Sequence, residues 1–257
     1  MQNPQNILIT GASSGIGKAL AIAYSKQAAN LFLGARNTNR LNEVKQICQE
    51  LNAKINVFCR EIDVKNEAAM LQWIEEIEEN YAIDLVIANA GISAGTASGI
   101  ESNQQIKEIF AVNLDGVLNT INPAIAQMKA RKKGQIAIIS SLAGFRGLPS
   151  SPAYSASKAA VRVYGEALRG NLADFGIEVS VVCPGYIKTP MTEINEFPMP
   201  FIIEADQCAK KIICGLEKNK SRISFPFPLF FVVWFFTLLS NKITDPIFAR
   251  LPKKKSL

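Results

Sequence analysis

Tyr154, Lys158 and Ser141 are the residues of this 257-residue chain whose types and spacing could move a proton at neutral pH. Four residues apart on a helix, Tyr154 and Lys158 share one face, so the ammonium can approach the phenol. A free phenol has a pKa of about 10, and a cation within about 4 to 6 Å favours the phenolate, which makes Tyr154 a candidate general acid or base. Alone, the Tyr-x-x-x-Lys spacing is weak evidence, because an exposed tyrosine beside a solvated lysine satisfies it equally. The chain contains no His. Ser-His-Asp and Cys-His nucleophiles and histidine metal sites are therefore excluded, and a hydrolase built on Ser141 has nothing to activate it. Proton transfer falls to Tyr, Lys, Cys or a carboxylate, and no metal site is expected.

The elements that must hold these residues are legible from periodicity. Short apolar, β-branched runs at residues 7–10, 31–35, 55–59, 85–88, 136–140 and 179–182 predict strands buried on both faces, as in a parallel sheet. Amphipathic stretches at 15–28, 38–51, 66–80, 102–131 and 152–175 predict the helices between them. A further helix at 205–216 and a seventh strand at 222–225 continue the series. Strand and helix in alternation predict one α/β domain, a doubly wound parallel sheet of about seven strands with helices on both faces.

The first predicted strand runs straight into Thr10-Gly-Ala-Ser-Ser-Gly-Ile-Gly17, and a helix follows. Gly11, Gly15 and Gly17 permit a tight turn, close approach of backbone to a pyrophosphate, and close packing of helix on strand. Free N–H groups around Ser13, Ser14 and Ile16 at the helix N-terminus suit phosphate. An NAD site usually carries Asp or Glu at the end of the second strand, for the ribose 2′-hydroxyl. Here that strand ends Gly34-Ala35-Arg36-Asn37, and the next acid is Glu43. Arg36 suits a 2′-phosphate through paired, charge-assisted hydrogen bonds, so NADP(H) is expected over NAD(H).

Over about residues 5 to 225 the chain resembles the short-chain dehydrogenase/reductase family, in its compact Thr-Gly-x-x-x-Gly-x-Gly branch. Asp63 follows the third strand, Asn89-Ala90-Gly91 closes the fourth, and Ala88 stands where the family pattern has a further Asn. Asn113 matches the family's catalytic Asn, and Ser141 precedes Tyr154 by 13 residues, as that pattern requires. Pro184, Gly185, Ile187 and Thr189 match the loop beside the nicotinamide. The resemblance implies a Rossmann-like fold in which Tyr154 exchanges a proton with a carbonyl or secondary alcohol. It implies that Lys158 lowers the Tyr154 pKa and holds the nicotinamide ribose, that Ser141 polarises the carbonyl, and that Asn113 binds a water linking Lys158 to solvent. It also implies Asp63 near the adenine. The different class kept open is a dinucleotide-binding sensor or interaction protein on the same fold, without turnover.

Residues 186–204 carry Met191, Phe197, Met199 and Phe201 and read as an apolar, flexible lid within a catalytic domain of residues 1–225, which favours an apolar small-molecule carbonyl or alcohol. Residues 226–257 form an apolar and basic C-terminal extension. Its uncharged run leaves about 11 to 13 residues after Pro228, too few for the roughly 20 of a membrane-spanning helix. A helix lying on an anionic membrane surface, with Lys242, Arg250 and Lys253 to Lys255 beside it, is one reading; packing on a second subunit of a homo-oligomer, dimer or tetramer, is the other. The net charge of +6 is spread along the chain without stacking aromatics, so no nucleic-acid partner is expected. Five Cys without paired or zinc spacing, and an N-terminus without a basic leader, fit a cytoplasmic setting with reduced thiols.

Overall fold

The structure, a computed structural model, describes residues 1–96, 99–250, 252 and 254. The chain runs β1 (Asn6–Thr10), α1 (Gly15–Tyr24), β2 (Asn30–Ala35), α2 (Thr38–Leu51), β3 (Asn56–Glu61), α3 (Glu67–Glu78), β4 (Leu85–Ala88), α4 (Asn103–Phe110), α5 (Gly116–Arg131), β5 (Gly134–Ile139) and α6 (Pro152–Leu172). It continues β6 (Ile177–Pro184), β7 (Ile187–Lys188), α7 (Pro190–Glu193), β8 (Ile203–Glu204), α8 (Ala205–Glu217), β9 (Arg222–Phe225), α9 (Phe227–Thr237) and α10 (Asn241–Phe248).

Seven strands form one parallel sheet in the order β3-β2-β1-β4-β5-β6-β9. The alternation of side chains along each strand divides the interior in two. Ile7, Ile9, Leu31 and Leu33 point to one face and meet Leu20, Leu41 and Ile212 of α1, α2 and α8. Leu8, Phe32 and Val86 point to the other and meet Met70, Trp73, Ile121 and Val161 of α3, α5 and α6. Each fully buried Leu or Ile contributes about 1.5 to 3 kcal/mol, which is why the apolar runs are continuous rather than alternating. The chain leaves β1 toward β2 on one side, while β4 lies on its other side. Crossovers therefore depart in opposite directions at the carboxyl ends of β1 and β4, opening a crevice there.

Four expectations need correction. The third strand is not buried on both faces: β3 is the sheet edge, and Phe58 is 41% exposed although its ring stacks on Phe32 at 5.1 Å. The single helix expected over 102–131 is broken into α4 and α5 by a π-helical turn, Ala111–Asp115, because Asn113 is tied to a neighbouring loop. The helix expected to reach residue 28 ends at Tyr24. Residues 186–204 are partly regular, with β7 and β8 paired in a small parallel sheet around α7. Among the described residues no helix is long and apolar enough to cross a membrane. Lys253 and Lys255 lie outside the described residues.

Candidate active site

The glycine turn owes its shape to contacts that leave no room for side chains. Gly11 has φ +65°, and a Cβ there would lie 2.8 Å from Ala90 Cα. Gly17 packs where a Cβ would strike the Gly11 carbonyl and the Asn89 amide. Asn89 locks this arrangement: its Nδ2 donates to the Thr10 and Gly11 carbonyls at 2.9 and 3.2 Å, and its N–H donates to Thr10 Oγ1 at 3.1 Å. The result is a cradle of free N–H groups at the start of α1, in a cleft of about 700 Å³ along the carboxyl ends of the strands. Every residue expected in the site lines this cleft except Gly17 and Asn113.

At the far end of the cleft stand Arg36 at the close of β2 and Asp63 after β3. Asp63 Oδ1 accepts the Lys65 N–H at 3.0 Å, a turn contact that holds the carboxylate at the rim. Sequence reading missed Asn37 and Arg40, which also line this end. Asn37 Oδ1 accepts the Arg40 N–H at 2.9 Å and caps α2, so Arg36 and Arg40 are presented together, one from each side of the cap. The spacing of four was the available signal for Arg40.

At the near end, β5 delivers Ser141 and α6 delivers Tyr154 and Lys158 into the cleft. Pro152 opens α6 in the first turn, where a proline costs no hydrogen bond. Ser141 caps a short 3-10 turn by accepting the Ala143 N–H at 3.1 Å, and its hydroxyl donates to the Pro184 carbonyl at 3.5 Å, a long bond at the wall of the cleft. The Lys158 ammonium is buried and donates to the Ile139 carbonyl at 2.8 Å, and it sits 6.0 Å from the Tyr154 ring centre. Burial lowers the Lys158 pKa to about 8. Burial also raises the Tyr154 pKa, against a smaller lowering by its hydrogen bond with Ser141. Desolvation thus sets the direction at the Tyr154 phenol, above its ordinary value.

Asn113 is fully buried, and both ends of its side-chain amide are hydrogen-bonded. Its Oδ1 accepts the Ile92 N–H at 2.8 Å, while Nδ2 donates to the Ile92 carbonyl at 2.9 Å and to Ser157 Oγ at 3.0 Å. Its side chain is therefore a brace that joins the π turn, the loop after β4 and α6. Of the four lid residues named from sequence, only Met191 lines the cleft; Phe201 is 57% exposed.

The glycine cradle, the two arginines and the buried Lys158 line one cleft that fits a dinucleotide. The family model described as short chain dehydrogenase matches residues 5–197. An uncharacterized oxidoreductase of Myxococcus xanthus is 34% identical over 245 residues, 95% of this chain and 96% of that one. The protein named 17-beta-hydroxysteroid dehydrogenase 13 of Rattus norvegicus is 29% identical over 226 residues, 86% of this chain and 75% of that one. The fold matches a short-chain dehydrogenase from Sphingobium yanoikuyae, solved with NADPH, at a TM-score of 0.81 and 21% identity over 98% of each chain. The chain therefore belongs to the short-chain dehydrogenase/reductase family, NAD(P)-dependent oxidoreductases that interconvert CH–OH and C=O groups.

Proposed function

We propose that this chain reduces a carbonyl to a secondary alcohol, and reverses that reaction, with NADP(H) as the preferred dinucleotide and Tyr154 as general acid and base. The observation that carries the reading is the meeting of Ser141, Tyr154 and Lys158 at one end of a cleft whose other end holds Arg36 and Arg40. Bound there, the dinucleotide supplies the hydride. Ser141 donates a hydrogen bond to the carbonyl oxygen and polarises it, keeping its own proton. Tyr154, its phenol kept protonated by burial, gives its proton to that oxygen as negative charge develops. Lys158 remains mostly charged at pH 7, stabilises the phenolate so formed, and returns a proton to it. Asn113 serves by position, fixing the turn against which α6 and Lys158 rest.

A catalytic domain of residues 1–225, with 186–204 over the substrate, is part of this proposal. Met191 supplies the apolar contact from that segment. The extension carries α9, none of whose residues is buried, and we read it as an interfacial helix on an anionic membrane surface, with a second copy of the chain as the competing occupant. All five thiols are free, which suits a reducing cytoplasm.

The test is Tyr154→Phe, which keeps the ring and removes the proton. Turnover of NADPH against a ketone and aldehyde panel should fall by at least about 100-fold, while NADPH affinity stays within twofold. A wild-type protein inert toward the whole panel, or a variant as fast as wild type, removes the reading.

A further inference from the structure

A second lysine overhangs the same phenol from a part of the chain that sequence gives no reason to bring there. Lys254, beyond α10, donates from Nζ to Ser93 Oγ at 2.6 Å and lies 5.6 Å from the Tyr154 ring centre. Ser93 itself is buried in the loop after β4. The tail reaches this position because residue 95 is glycine: a Cβ there would run into the Lys254 Cβ and carbonyl oxygen. The Gly95 loop is held in turn by Gln105, whose Nε2 donates to the Gly95 carbonyl at 3.0 Å. Three separate elements thus place one ammonium over the catalytic ring.

Among the described residues that ammonium has no counter-charge. Among the described residues the ion pairs involve other lysines, arginines and the N-terminus, and none includes Lys254. Its neighbours are a hydroxyl and an aromatic face, which satisfy one donor and part of the charge. A cation enclosed in this way is costly unless an anion joins it. Burial accordingly lowers the Lys254 pKa to about 8, so it stays mostly charged at pH 7.

We propose that Lys254 is a substrate-recognition residue that binds a carboxylate carried near the reacting carbonyl, so that the preferred substrate is an oxo acid or hydroxy acid with an apolar body. This rests on the reading of Tyr154 as the group that protonates the carbonyl. The carbonyl oxygen is addressed by Ser141 and Tyr154, and a carboxylate a few bonds away along the same molecule meets Lys254 above the ring. Recognition of a negative charge and tolerance of an apolar chain are then supplied by different parts of the site, Lys254 for the first and Met191 for the second.

The experiment uses the full chain with NADPH and matched probes: 2-, 4- and 6-oxooctanoate and their methyl esters, which differ in charge but share a skeleton. Affinity for the NADPH complex is measured by calorimetry and turnover by NADPH oxidation. At least one acid should bind about tenfold or more tighter than its ester, as a charge-assisted hydrogen bond supplies. Lys254→Met should bring that ratio near one, and Lys254→Arg should restore most of it. A wild type without preference for any acid, or a preference that survives in Lys254→Met, overturns the proposal. So does a Lys254→Met variant that turns over acid and ester faster by the same factor, since the tail would then be a lid. Binding is read apart from turnover. A chain that binds an acid through Lys254 but reduces nothing sinks the reductase reading alone; one that reduces acids and esters equally sinks this one alone.

Discussion

Lys158 illustrates how a residue proposed to be catalytic is placed at the expense of stability. Its pKa of about 8 in the folded chain lies below the ordinary lysine value of 10.5, so folding disfavours its charged form. Below about pH 8 both folded and unfolded chains carry the proton and the full penalty applies. Between about 8 and 10.5 the unfolded chain holds more protons, and the stability contribution rises with pH. At pH 7 the penalty is about 3 kcal/mol, reduced in any substitution by the Ile139 carbonyl left without its donor. Lys158→Met should therefore raise the melting temperature at pH 7 by a few degrees and lower turnover at least about 100-fold. The gain in melting temperature should shrink on raising the pH toward 10. A lower melting temperature at pH 7, followed by calorimetry, would mean that the Ile139 hydrogen bond outweighs desolvation. Tyr154 and Lys158 were legible in the sequence through helix spacing and the missing histidines, and Ser141 through its 13-residue interval before Tyr154 in the family pattern. Lys254 was not, since its contact with Ser93 joins residues 161 apart and no periodicity reports such a return.

At the scale of elements, legibility followed the source of each element's stability. The bounds of α2, β4 and β9 match the sequence reading because local caps and buried apolar runs define them. The break between α4 and α5 escaped it because the π turn is set by Asn113 bonding to Ile92 across the site, which the apolar period does not encode. The exposure of β3 escaped it as well, since an edge position is a property of the assembled sheet. The junction of β2 and α2 carries the cofactor prediction: strand end, cap and first helical turn together present Arg36 and Arg40 as a pair of exposed cations. Arg36→Asp should weaken NADPH binding by about tenfold or more, the value of a lost charge-assisted bond, and leave NADH binding equal or tighter. Fluorescence titration of both dinucleotides checks this, and an unchanged NADPH to NADH affinity ratio would refute the assignment.

For the whole molecule, the extension is the part that the domain does not bury. Leu229 and Phe230 pack on Leu142, Val181 and Cys183, and Arg146 holds Asp245 of α10 at 2.6 Å, so both helices are anchored. The remaining apolar surface faces outward: Phe227 is 71%, Phe231 50% and Leu238 63% exposed. A helix apolar on all sides calls for burial against something else, and the Lys242 and Arg250 that follow it suit an anionic surface. The wild-type chain should co-sediment with vesicles containing phosphatidylserine, and a Phe231→Asp, Phe235→Asp variant should stay in solution. Wild-type protein left in the supernatant, with the variant falling from dimer to monomer in the ultracentrifuge, would assign the helix to a second copy instead.

The strand order β3-β2-β1-β4-β5-β6-β9 has a consequence for how the molecule comes into being. Taken in the order of synthesis, every strand of this sheet after the first docks on an edge already exposed, first outward through β2 and β3, then on the opposite flank through β4, β5, β6 and β9. No strand must be threaded between two that are already paired. A chain emerging from the ribosome can thus close its glycine cradle before Tyr154 has been polymerised. Lys254 is made only after the Ser93 loop and the Tyr154 ring on which it comes to rest.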